Sequence, residues 1–540
     1  MSADARLRIG GDVVADTLAA LGAEVAFGVP GIHSLAVWEA LRTSSIQAFA
    51  TRTELCAGFA ADGYARSSGR PAPLLLSTGP GALNALTAIM EAASSHVPVV
   101  AISSQIPADL VGRGRGYLHE LPDQLASFAP LVKFAARAQS VQSIPGLLTR
   151  AWRAALTPPS GPVYLEIPVD LLTGDADGPE TGPPQAVVER ECAPLEQVAA
   201  AARILAHAQT PVIWAGGGVI RSGAQAELLE LAERLRAPVA STYMGKAAFP
   251  SDHPLAAGAG CDEAAFQALV SEADAVLCIG TELGAETTAQ YQLELAGQII
   301  HLDAAPERIG ATYPALALVG DAKLTVAALV AELSNAATAD GAARAAAVRR
   351  RIRDGLQDQG RETELGLLAT IERALPPDAI TTWDMTILGY WAAPHLQLTD
   401  GQQFLYPLGS GTLGYAWPAA LGARIAHPDT TTLAVVGDGG LQYALAELGT
   451  AAQHGIAAKL LVVDDGGYGI LREYQRDAFG QTTAVDLPGK DLVAVAEAFG
   501  VPVRAATLAN VPEQLDWALS QPGPAAVVLR AELVAAQPTP

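Results

Sequence analysis

Cysteine is scarce. The 540 residues hold only Cys56, Cys192, Cys261 and Cys278, and none falls in a CxxC pair. Neither a disulfide framework nor a zinc site follows from such spacing, and reduced thiols are expected. Positive charge is also in short supply: 34 Lys and Arg stand against 56 Asp and Glu, a net charge of −22, with no basic block anywhere. Affinity for phosphate backbones comes from clustered cations, so no nucleic-acid partner is expected. Long apolar runs are missing, since no stretch approaches the roughly 18 residues of a membrane span. The opening "MSADARLRIGGDVV" has no apolar signal core. These absences predict a cytoplasmic protein without membrane association.

Half of the residues are apolar, Gly numbers 52, and aromatics make up only 5%. That composition suits closely packed α/β layers. A chain this long exceeds one core and predicts about three domains. Strand candidates lie at 24–31, 73–78, 97–103, 162–168, 211–218, 275–281, 298–303, 432–439, 459–465 and 525–532. They are apolar throughout rather than alternating, as strands covered on both faces are. Helix-like stretches separate them, which predicts βαβ units and three doubly wound parallel sheets in an α/β fold. "TGDADGPETGPPQ" (173–185) reads as a linker, and "SNAATADGAARAAA" (334–347) as a linker or a helical connector. The domains are then expected at about 1–180, 190–335 and 355–540.

Two of these strands end on acids. Asp438 follows "TLAVVG" and Asp465 follows "LLVVD", with the helix-like "LQYALAELGTAAQHG" between them. Ligands in parallel sheets bind beyond the carboxyl ends of strands, so one crossover brings both carboxylates to one edge. Gly439 and Gly440 leave the backbone bare for an anion at a helix start. Two acids facing a phosphate-sized space call for a cation between them. Mg²⁺, which takes hard oxygen ligands together with substrate phosphates, fits.

The run from "GDGG" to the acid and "GGYG" resembles the thiamine diphosphate fingerprint of the acetolactate synthase and benzoylformate decarboxylase superfamily. The resemblance implies that Asp438 and Asp465 bind Mg²⁺ through side chains and Gly467 through its carbonyl. Gly437, Gly439, Gly440, Tyr468 and Gly469 would line the diphosphate. Family members usually carry Asn where this chain has Asp465. "TRTELCAGFAADGYARSSGRP" (51–71) is similar to the family's first-domain helix and implies Glu54 as the acid that activates the aminopyrimidine. "STGPGALNAL" (77–86) is similar to the first-domain glycine loop, anchored by Asn84. "LGSGTLGYAWPAALGA" (408–423) resembles the segment that bends the cofactor, with Leu413 as wedge and the Gly411 carbonyl as acceptor. The resemblance covers nearly the whole chain. It implies a homodimer or homotetramer with active sites at the subunit interface.

Such enzymes act on 2-oxo acids. This chain has Ile32 and Ser77 where benzoylformate decarboxylases have Ser and His, and Leu471 where pyruvate decarboxylases have Glu. "IGTELGAE" (279–286) lacks the Arg of the flavin-binding segment, so FAD is not expected. "GRGRGYLHELPDQ" (112–124) resembles the 2-ketoarginine (5-guanidino-2-oxopentanoate) decarboxylase branch, which singles out His119 as a proton relay. Asp384, in "TTWDMTILGYW", would adjoin the cofactor and, with Glu120, offer an acidic end to a cationic substrate. The expected function is decarboxylation of a 2-oxo acid to an aldehyde, with carboligation alongside. Acetolactate synthase-type transfer and a silent cofactor-binding subunit are the alternatives.

Overall fold

Strands apolar on both faces must be covered on both, and each long strand is. Every residue of the strands Ala72–Leu76, Val99–Gln105, Val163–Pro168, Ala275–Ile279 and Lys459–Asp464 is buried. The computed structural model describes residues 7–176, 186–333 and 340–539. Among them, three six-stranded parallel sheets follow one another along the chain.

The first sheet holds β1 (Val25–Gly28), β2 (Gln47–Ala50), β3 (Ala72–Leu76), β4 (Val99–Gln105), β5 (Ala135–Arg137) and β6 (Val163–Pro168), in spatial order β2-β1-β3-β4-β6-β5. The second holds β7 (Val212–Ala215), β8 (Val239–Ser241), β9 (Ala256–Gly258), β10 (Ala275–Ile279), β11 (Gln298–Asp303) and β12 (Leu316–Val319), ordered β12-β11-β10-β7-β8-β9. That is the order of a dinucleotide-binding sheet, with its switch point between β7 and β10. The third holds β13 (Ile380–Trp383), β14 (Gln403–Leu405), β15 (Thr432–Gly437), β16 (Lys459–Asp464), β17 (Val503–Ala506) and β18 (Ala525–Arg530), ordered β14-β13-β15-β16-β18-β17. Its order repeats that of the first sheet.

First and third sheets meet through two helices, Glu54–Ser68 and Ala416–Ala426, which cross at bare backbone. A Cβ added at Gly63 would lie 2.1 Å from the Ala419 carbonyl oxygen, and one at Gly422 would lie 1.8 Å from that of Ala60. Glycine is required at this crossing for close approach. A buried polar network flanks it. Arg66 pairs with Asp62 at 2.9 Å, Asp62 accepts from the Tyr415 hydroxyl at 2.7 Å, and Glu91 lies 3.6 Å from Arg66.

Of the two expected linkers, 177–185 and 334–339 fall outside the described residues, while residues 341–347 open the helix Gly341–Asp358. No helix among the described residues is long and apolar enough to cross a membrane.

Candidate active site

In the third sheet, β15 and β16 pair with Gly437 opposite Val463, which brings Asp438 level with Asp464 and leaves Asp465 one residue further out. Asp438 is buried, and the Lys490 ammonium sits on its Oδ2 and lies 3.9 Å from Asp464 Oδ1. The Asp465 amide faces Asp438 Oδ1 at 3.4 Å. Asp465 itself accepts from the Gly467 amide at 3.1 Å. Burial, then the charge of Asp438, pushes the Asp465 pKa up to about 7, with Arg472 pulling the other way.

The glycines here are dictated by packing. A Cβ on Gly439 would lie 2.7 Å from the Tyr468 ring and 3.0 Å from the Gly467 carbonyl oxygen, and a Cβ on Gly469 would lie 1.9 Å from Asp465 Oδ2. One on Gly437 would lie 2.7 Å from the Thr386 hydroxyl. Asp438, Asp465 and the Gly467 carbonyl thus converge on one edge. Among the described residues no three His, Cys, Asp or Glu side chains form a metal-binding cluster. A divalent cation here would rest on two carboxylates and a backbone carbonyl. The donors fit one: an acid buried at the strand end already carries a positive charge in Lys490.

The expected helix between β15 and β16 is two helices, Asp438–Leu441 and Glu447–His454, the second ended by Gly455 at φ +63°. Glu447 opens the second helix. Its buried carboxylate accepts from the Arg52 and Thr53 amides at 3.0 and 3.2 Å, tying this segment to the start of helix Glu54–Ser68.

Asp384 corrects an expectation. It follows β13, is wholly buried, and accepts from the Met385 amide at 2.9 Å and the Gly414 amide at 2.9 Å. Burial raises its pKa to about 7. A Cβ on Gly440 would lie 2.8 Å from its Oδ2. Asp384 is therefore a brace that fixes the 407–414 turn to the sheet, and it offers no acidic end to a substrate. Glu120 accepts from the Gly116 and Tyr117 amides at 2.7 and 3.0 Å, which lowers its pKa and keeps it ionised. The braced turn presents Gly411 at φ +67° and the half-buried Leu413; Glu91 holds it from the first domain through the Ser410 amide at 2.9 Å.

In the first domain Thr53 caps helix Glu54–Ser68, accepting from the Cys56 amide at 3.2 Å, so Glu54 opens it. Asn84 donates to Glu54 Oε2 at 3.1 Å. Gly79, at φ +64°, turns the chain after β3, and its amide donates to the buried Gln124 at 2.7 Å. His119 holds the left-handed region at φ +69°, which is strained for a residue with a Cβ. Its ring lies 5.2 Å from that of His33, a residue the sequence reading passed over. The signal was faint: His33 stands one place beyond Ile32, in a position that carried no expectation.

A cavity of about 640 Å³ lies away from this chemistry, at the switch point of the second sheet. Gly217, Gly280, Glu282, Asp303 and Arg308 line it, with Arg221, whose pKa burial lowers to about 10. The stretch from which no flavin was expected borders this crevice.

Fold and site define an α/β protein whose third sheet gathers two carboxylates and a backbone carbonyl at one edge. Comparison with known proteins gives the family. Residues 8–127 match the model described as "Thiamine pyrophosphate enzyme, N-terminal TPP binding domain", 198–329 the central domain, and 384–529 the C-terminal TPP binding domain. The chain belongs to the thiamine pyrophosphate enzymes. It is 38% identical over 446 residues to a probable 2-ketoarginine decarboxylase of Pseudomonas aeruginosa, covering 82% of this chain and 79% of that protein. It is 32% identical over 525 residues to a probable acetolactate synthase large subunit of Methanocaldococcus jannaschii, covering 91% and 86%. In fold it is similar to the thiamine diphosphate-dependent 4-hydroxybenzoylformate decarboxylase of Rhodococcus jostii RHA1, with a TM-score of 0.86 and 24% identity over 98% of this chain and 100% of that one.

Proposed function

We propose that this enzyme, with thiamine diphosphate and Mg²⁺, removes CO₂ from a 2-oxo acid without oxidation and releases the aldehyde, with carboligation as a side reaction. The convergence of Asp438, Asp465 and the Gly467 carbonyl beside Gly439 carries this reading. Those three would hold Mg²⁺, with Gly437, Gly439, Gly440, Tyr468 and Gly469 around the diphosphate. Gly411 and Leu413 on the braced turn would meet the cofactor rings. When bound, the cofactor supplies an electron sink for the pair left behind as CO₂ departs. Glu54, steadied by Asn84, would hold a proton at the pyrimidine. His119 would deliver the proton that replaces CO₂ in the aldehyde.

The identity to a decarboxylase over most of both chains supports this direction. Identity to acetolactate synthases over a similar span supports the second reading, transfer to another 2-oxo acid. Because Asp384 is buried against the Gly414 amide, the substrate class proposed is the 2-oxo acids as a whole.

Exposed apolar residues flank both half-sites: Ile32, Leu35 and Leu118 near the first, Tyr443, Leu471 and Phe479 near the second. Solvated apolar patches mark interfaces, which supports a homodimer or homotetramer with shared active sites. The test is a panel of 2-oxo acids, with CO₂, aldehyde and acetolactate measured together. Aldehyde in step with CO₂ is expected, and Glu54→Gln should abolish both. Acetolactate from pyruvate with no free aldehyde would favour transfer instead.

A further inference from the structure

His33 lies in the one-turn 3₁₀ helix Ile32–Ser34 beyond β1, Ser77 follows β3, and His119 comes from the loop between β4 and β5. His33 and Ser77 are 7% and 6% exposed, which is the depth of core residues. The His33 and His119 rings meet edge to face, 5.2 Å apart at 64°, and the Tyr117 ring lies 5.9 Å from His33. Three polar atoms in this cluster, His33 Nδ1, His119 Nδ1 and Ser77 Oγ, are buried without a hydrogen-bond partner in the chain. Leaving such an atom buried and unpaired is costly. A settled core tolerates few of them, and here three share one corner.

That corner adjoins Glu54. A Cβ placed on Gly81 would lie 3.1 Å from Glu54 Oε1 and also 3.1 Å from Ser77 Cβ, so the carboxylate and the serine flank the same glycine. One placed on Gly79 would lie 2.5 Å from the His119 carbonyl oxygen. Among the described residues no carboxylate pairs with either ring, so the histidines are not an acid-steadied dyad. What the three atoms share is the capacity to donate a hydrogen bond.

We infer that His33, Ser77 and His119 form the receptor for the carboxylate of the 2-oxo acid. The inference rests on the proposed function and names the residues that recognise its substrate. Burial, and then the charge of His119, lowers the His33 pKa, so His33 meets its ligand as a neutral donor. A neutral His33 and the Ser77 hydroxyl are well matched to a carboxylate that must leave as CO₂. They hold the anion through hydrogen bonds, yet have little grip on the neutral molecule it becomes. The carboxylate and the proton that replaces it occupy the same place on the substrate's second carbon. One group, His119, can therefore serve both.

The test uses the full-length enzyme with thiamine diphosphate and Mg²⁺. His33→Phe keeps a ring against Tyr117 and removes the donor, His33→Asn restores an N–H near the place of Nδ1, and Ser77→Ala probes the hydroxyl separately. Kinetics on the preferred 2-oxo acid are paired with binding of its methyl acylphosphonate, an anionic mimic that cannot lose CO₂, and of the product aldehyde. His33→Phe is expected to raise KM and the Kd of the phosphonate roughly tenfold or more. Affinity for the aldehyde and for the cofactor should stay unchanged; Asn should recover most of the loss, and Ser77→Ala should shift the phosphonate the same way. Phosphonate affinity within twofold of wild type in both His33→Phe and Ser77→Ala would overturn the inference. So would equal weakening of phosphonate and aldehyde, which means a merely structural role. So would a fall in kcat alone. A wild type that releases no aldehyde from any 2-oxo acid would instead sink the function on which this rests.

Discussion

Three carboxylates, Asp438, Asp464 and Asp465, crowd two adjacent strand ends, with Lys490 between the first two and Arg530 3.6 Å from Asp464. Asp465 carries the strain, its pKa displaced from 3.8 to about 7. The sign follows from the direction of the shift. A carboxyl whose pKa rises on folding favours the fold below its unfolded value, and that contribution is lost as pH climbs through about 7. A divalent cation needs the ionised acid, so Mg²⁺ affinity should rise towards about pH 7 and level off above it. Calorimetric titration at about pH 6 and pH 8 checks this. Asp465→Asn should flatten the profile while still binding the ion. Equal affinity at both pH values in the wild type would count against the Asp438–Asp465 pair as its seat. That Asp438 and Asp465 share one sheet edge was legible in the sequence, because a strand followed by an acid is a local signal. The fate of Asp384 was not, since its burial and its hold on the Gly414 amide come from a turn thirty residues away.

At the scale of elements, all ten strand candidates are strands, because a continuous apolar run covered on both faces is unambiguous. The missed ones are short or edge-lying. β5, β9 and β14 have three residues each, too few to show a period. β13 was passed over because "ITTW" is half Thr, although it carries Asp384 into place. The helix crossing between the first and third sheets was equally hidden, since Gly63 and Gly422 look like weak points in helices until their partners are known. Gly422→Ala should cost about 2 kcal/mol or more, because its methyl meets the Ala60 carbonyl. A thermal melt reads this. The variant should also lose activity at temperatures where the wild type is folded, since the crossing sets Glu54 and the 407–414 turn on their supports. A melting point unchanged from wild type would mean that the helices part without penalty.

The whole molecule repeats one sheet order at its two ends and places a dinucleotide-type sheet between them. Under the proposed function each end sheet carries half of a site: Glu54 at a helix start on one, the Asp438–Asp465 edge on the other. Helix Gly469–Phe479, next to that edge, buries none of its residues and exposes Leu471, Tyr474 and Phe479. A lone subunit would leave that face in water. Sedimentation equilibrium should therefore find dimers or tetramers, and Phe479→Glu should shift the population towards monomer and lower activity with it. A fully active monomer would contradict the shared-site reading. Fold class and family were readable from the pattern of strands and the spacing of glycines and acids. Assembly was expected only through the resemblance, because no run of residues announces which apolar side chains folding will leave exposed.

The most direct measurement is thiamine diphosphate binding to the full chain, with and without Mg²⁺, in the wild type and in Asp438→Ala. Binding in the wild type that needs the cation and is lost in the variant is the expected result. Binding of equal strength without any divalent ion, or unchanged when Asp438 is removed, would contradict the account.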